Sequence, residues 1–155
     1  MTHVISQNGS TPGATLDATD QSLGWFATLF RASPAAISVS TLTEGRLLEV
    51  NDSFLHLLGY TREEVIGQTS FDLDLWIDAD THASLRSSIA EHRAVRDVEA
   101  QMRTKSGEHR IVLISAEIFE SDGPPCILAH LHDITARRDL ETRLRSSEER
   151  FRTLV

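Results

Sequence analysis

The chain has 155 residues, 40% of them hydrophobic and 25% charged, which is enough to build one core, and its net charge is -8. That acidic balance argues against a nucleic-acid interface, because phosphate binding needs a basic face. The lone Cys126 closes no intrachain disulfide, and no run reaches the ~18 to 20 apolar residues of a membrane span, so a soluble, cytoplasmic chain without membrane contact is expected.

Residues 1–20 are rich in Ser, Thr, Gly, Asn and Asp and carry few large apolar groups. Too little surface is there to offset the entropy of ordering, so a mobile tail is expected. From Gln21 the pattern changes, with Leu23, Phe26, Leu29 and Phe30 at helical spacing. Ser33-Pro34 stops that helix, because the residue before proline is pushed out of the helical region; a cap helix over 21–33 follows. Ala36 to Leu42 and Arg46 to Asn51 read as two strands of a hairpin around Glu44-Gly45. Asn51 or Asp52 can cap a helix carrying Phe54, Leu57 and Leu58, which Gly59 ends. Thr61 to Glu64 has the pattern of a capping box and opens one more helical turn, closed by Gly67.

The segment from Phe71 to Asp80 carries Leu73, Leu75, Trp76 and Ile77 among four aspartates and reads as a connection tucked in by its apolar side chains. Thr81 to His92 returns to helical period with Leu85 and Ile89 inward. Three long strands follow. Val98, Ala100 and Met102 alternate with polar residues, Lys105 to Glu108 turns the chain, Ile111 to Phe119 is apolar on both faces and should be covered on both, and Asp122 to Pro125 leads into a strand beginning at Cys126. The sum is an α+β fold: a five-stranded antiparallel sheet with helices on one face, an N-terminal helical cap and a C-terminal helix. In that last segment Leu140, Leu144, Ser147, Phe151 and Leu154 are spaced four, three, four and three apart, the narrow seam of a coiled coil. Residues 136–155 hold six arginines against four acids, a local charge of +2, so residues 1–135 carry -10.

Ser33 to Ile37, Glu49 to Phe54, Leu58 to Gly67, Arg103 to Glu108 and Asp133-Ile134-Thr135 at the close of the last strand resemble, in this order, the motifs of PAS sensor domains. Ser147 to Val155 is similar to the opening of another such unit. The resemblance implies a cap helix over 21–33, a PAS domain over 34–135 and a coiled-coil linker over 136–155 that leads into a further domain. A sensory and dimerisation module of a bacterial multidomain signalling protein is then expected, non-enzymatic itself, homodimeric, and coupled to an effector of the histidine kinase or diguanylate cyclase class. A ligand-free structural dimerisation module is the alternative.

The family register makes Ile127, Ala129 and Leu131 face the pocket between sheet and helices, with Val98, Ala100, Met102, Val112, Ile114 and Ala116 beside them. This list is apolar and lacks the convergent polar groups of a site for a carboxylate, nucleotide or sugar, so a filled core or a weakly held apolar molecule is expected. Flavin photochemistry is unsupported: Gly67 to Asp72 stands where the reactive cysteine motif belongs, and Met102 and Val112 replace the amides that hold the ring. Cys126 reads as a small buried hydrophobe. His82 falls near the position of a haem ligand in oxygen-sensing relatives and is the candidate on which a haem reading hangs. His130 and His132, two apart on one strand, share a face; no third metal ligand accompanies them, and packing under Phe26 and Phe30 is the expected role. The family further implies that Asp133 pairs with a basic group on the sheet, Arg110 or Arg103, and that Asp133, Ile134 and Thr135 relay the signal; helix capping by Asp133 is the simpler possibility. Leu140, Leu144, Phe151 and Leu154 are the candidate dimer seam.

Overall fold

The computed structural model describes residues 17–120 and 122–154; of the expected tail, residues 1–16 lie outside them. Chain order is α1 (Asp17–Ala32), β1 (Ala36–Thr41), β2 (Leu47–Val50), α2 (Asp52–Leu58), α3 (Arg62–Val65), α4 (Ala79–His92), β3 (Ala94–Arg103), β4 (His109–Phe119), β5 (Cys126–Asp133) and α5 (Thr135–Thr153). The first helix thus starts four residues before the expected Gln21. The strands form one antiparallel sheet in the order β2-β1-β5-β4-β3, so the last strand lies at its centre, between the two halves of the chain.

Pairing across the sheet sets which side chains share a face. Ser38 lies opposite Ala129, and Ala129 opposite Ala116; Ala36 lies opposite Leu131, and Leu131 opposite Ile114. This inner face meets Val50, Phe54, Leu58, Val65, Leu75, Leu85 and Ile89 from the hairpin and the connecting helices in one buried cluster. Each such side chain contributes roughly 1.5–3 kcal/mol on leaving water. The opposite face is less covered than the apolar pattern of β4 suggests: Leu113 is half-buried and Phe119 exposed, because only the start of α5 reaches β4 there. A shift of register between Val95 and Val98, with Asp97 at a φ of 51°, adds a bulge to β3 that its alternating sequence does not announce.

Local devices fix the helices, and one of them ties α1 and α2 to the sheet. Asn51 is fully buried and makes four hydrogen bonds: its Oδ1 accepts from the amides of Ile37 at 2.9 Å and Phe54 at 3.0 Å, and its Nδ2 donates to the carbonyls of Phe30 and Ala35, both at 2.9 Å. The first of the two candidate caps is therefore the cap of α2, and it also fastens α1 to β1. Gly59 ends α2 at a φ of 79°, the left-handed conformation that glycine adopts at no steric cost. In the next turn the Glu64 carboxylate reaches back to the amide of Thr61 at 3.4 Å and its hydroxyl at 3.1 Å, as the capping-box pattern predicts.

Candidate functional site

A row of small side chains runs across three neighbouring strands, Ser38 on β1, Ala129 on β5 and Ala116 on β4. Opposite this row, α4 presents His82, Leu85, Arg86 and Ile89, one helical face at intervals of three, one and three. The side chains do not meet across the gap, and a cavity of about 100 Å³ remains, walled elsewhere by Leu75, Trp76, Met102, Ile114 and Ile127.

Its wall is more polar than the strands alone foretell. His82 is 6% exposed, packed edge-on to Phe71 with ring centroids 4.4 Å apart and tilted against Trp76 at 4.6 Å, and its ring makes no hydrogen bond among the described residues. Burial first, and the Arg86 guanidinium second, hold the imidazole below its ordinary value near 6.5, so it is neutral at pH 7. The indole Nε1 of Trp76 is buried and has no hydrogen-bond partner among the described residues. Arg86 donates from Nη2 to the carbonyls of Leu42 at 2.7 Å and Thr43 at 3.1 Å, clasping the β1–β2 turn. Ser38, Ser40 and Ser70 add hydroxyls.

The second functional region is the junction of sheet and last helix. Asp133 Oδ1 accepts from the amide of Thr135 at 2.9 Å and from its hydroxyl at 2.5 Å. Thr135 Oγ1 in turn accepts from the amide of Ile111 at 2.9 Å, and the Ile134 amide donates to the Ile111 carbonyl at 2.8 Å, with Ile134 itself buried. One turn on, Arg138 forms an ion pair with Glu99 of β3 and another with Glu141 at 3.1 Å. The end of β5 and the start of α5 are therefore stitched to both outer strands of that half of the sheet.

The profile of the PAS domain family matches residues 34–136, about two thirds of the chain. The chain belongs to the PAS domain family. Among solved structures it is similar to the PAS domain of an HTR-like protein from Haloarcula marismortui, at 26% identity and a TM-score of 0.64, over 77% of this chain and 97% of that one. A domain of a sensory box sensor histidine kinase/response regulator from Geobacter sulfurreducens is 28% identical, with a TM-score of 0.59 over 73% of this chain and 94% of that one. An RNA-binding light-oxygen-voltage receptor shares the fold at a TM-score of 0.71 and 19% identity, over 92% of this chain and 41% of that one. No curated protein matches the chain.

Of the residues the PAS register turns inward, Met102, Ile114, Ala116, Ile127, Ala129 and Leu131 line the cavity. Ala100 and Val112 are buried in the filled part of the core, and Val98 is half-buried against it. The polar contributors Ser38, Ser40, Ser70, Trp76 and Arg86 were missed because they come from β1, the connection and α4. Alternation along β1 carries the signal for the first two: Ser38 and Ser40 share a face with the buried Ala36. His82 does point inward, as a haem ligand must, but the residues do not fit haem. The cavity falls below the roughly 300 Å³ at which sites for organic ligands begin, and Phe71 and Trp76 already stand against the imidazole.

Three further expectations are corrected. Asp133 pairs with neither arginine: Arg110 bonds Glu108 at 3.0 Å and Arg103 bonds Asp74 at 2.6 Å, while the amide and hydroxyl of the next helix turn lie closer to the Asp133 carboxylate. His130 and His132 are both exposed rather than packed under aromatic rings. His130 borders a shallow concavity with Phe26 and Phe30, whereas His132 belongs to an open cleft with Arg110, Asp133, Asp52 and His56. Cys126 is only half-buried, and its Sγ approaches the Pro124 carbonyl at 3.5 Å. Leu140, Leu144, Phe151 and Leu154 are 65%, 62%, 72% and 85% exposed along α5. Among the described residues no helix is long and apolar enough to cross a membrane, and no three His, Cys, Asp or Glu side chains are placed to hold a metal ion.

Proposed function

We propose that this PAS domain is a non-enzymatic, cytoplasmic sensory and dimerisation module. It passes a ligand- or conformation-dependent change of the sheet through Asp133-Ile134-Thr135 into α5, which pairs with α5 of a second copy and drives an effector of the histidine kinase or diguanylate cyclase class. What supports the reading is the stitched junction: Thr135 and Arg138 bind α5 to β4 and β3, so a shift of those strands moves the helix base, and a ligand acts by its differential affinity for the two sheet arrangements. The uncovered seam on α5 gives the dimer its surface, as heptad spacing requires.

Asp133→Ala in the parent protein should uncouple effector output from the signal while the fold loses only about 1 kcal/mol, the scale of one lost cap. Unchanged output would overturn the relay. Leu144→Asp places charge in the seam and should turn the dimer into a monomer by sedimentation velocity; a dimer that survives it does not pair through α5.

A further inference from the structure

The cavity under α4 is lined by donors and holds no acid. Trp76 offers an indole N–H with no partner, His82 an unbonded imidazole that is nine-tenths buried, and Arg86 a guanidinium whose Nε and Nη1 bond to nothing among the described residues. Of these the Trp76 N–H is itself buried, and a buried donor without an acceptor is costly and rare in native proteins. Ser38, 6% exposed, adds a hydroxyl on the floor. Against these stand the aliphatic Leu85, Ile114 and Ile127 and the small Ala116 and Ala129. One positive charge, several N–H and O–H groups and no carboxylate complement an acceptor-rich anion, and the apolar floor complements a short hydrocarbon tail. The space of about 100 Å³ exceeds the roughly 10–15 Å³ of a single water and falls short of the roughly 300 Å³ of larger organic ligands.

We propose that this cavity binds a small aliphatic monocarboxylate, its carboxylate held by Trp76, His82 and Arg86 and its tail laid over Ala116 and Ala129. The inference deepens the sensory reading above by naming the class of ligand, and rests on it. Both ends of the site connect to other elements: Arg86 holds the β1–β2 turn, and Ala116 and Ala129 belong to the strands that carry Ile111 and Asp133.

The protein supplies its own reporter. It has two tryptophans, and Trp25→Phe removes the exposed one, leaving Trp76 in the cavity wall. Titration of this variant with isobutyrate should change its fluorescence saturably, whereas the uncharged isostere isobutyramide should bind at least tenfold more weakly. Ala129→Leu fills the space without touching a donor and should abolish the response, with circular dichroism reporting that the fold is kept; Arg86→Gln should weaken binding by tenfold or more. No saturable response to isobutyrate, equal binding of the amide, or a response that persists in the folded Ala129→Leu protein would each overturn the proposal. Sedimentation of the same samples separates the two readings: an intact dimer without carboxylate binding sinks the ligand class alone, while binding by a protein that is monomeric throughout sinks the relay and leaves the ligand standing.

Discussion

Asn51 is the residue whose loss the fold should feel most. Four groups from α1, β1 and α2 depend on one amide, and truncation strands two buried amide donors and two carbonyls at once. Asn51→Ala is expected to cost about 2–4 kcal/mol in equilibrium urea unfolding, above the ~1 kcal/mol of an ordinary N-cap. His82 carries a pH dependence whose sign follows from its burial. The folded chain binds its proton only below the ordinary value near 6.5, while the unfolded chain binds it there. Above that value the two states hold the same protons and His82 contributes no slope. As pH falls through it, the unfolded state gains protons first and stability declines until the folded value is reached. Denaturation midpoints measured at pH 7.5 and 5.5 should therefore fall less in His82→Phe than in the parent chain.

At the scale of elements, α5 is fastened at one end and unsupported beyond. Thr135→Ala removes the acceptor of the Ile111 amide and the donor to Asp133, at about 1 kcal/mol, and amide exchange at Ile111 and Ile134 should speed up ahead of the rest of β4. The elements themselves were legible in the sequence wherever local chemistry decides them. Asn51 and Gly59 bracket α2, Ser33-Pro34 closes α1, and the alternation of Val98, Ala100 and Met102 marks β3. What was not legible depends on partners distant in sequence. The Ala129 and Ala116 pairing that leaves a gap arises from register between β5 and β4, and the Arg86 contact with the carbonyls of residues 42 and 43 spans more than forty positions. Asp133 misled because the family implies an ion pair with Arg110 or Arg103, yet the chain offers its carboxylate the Thr135 amide and hydroxyl two residues away, the simpler local role, which needs no long side chain to be ordered.

Across the whole molecule the apolar surface is distributed unevenly. The inner sheet face is packed, whereas Trp25, Phe26 and Leu29 of α1 and the seam of α5 are left open at the chain's two helical ends. With a charge of -10 on residues 1–135 and +2 beyond, the long helix is also the locally basic part of an acidic molecule, so added salt should alter how α5 lies against the domain. The gap between α4 and the row of Ser38, Ala129 and Ala116 has a further consequence, in mechanics. An unfilled recess of about 100 Å³ between helix and sheet is loosely packed volume that unfolding eliminates, so this domain should yield to hydrostatic pressure more readily than a fully packed one of its size. High-pressure fluorescence should find a smaller unfolding volume in Ala129→Leu, and an occupant of the cavity should stiffen the protein in the same way.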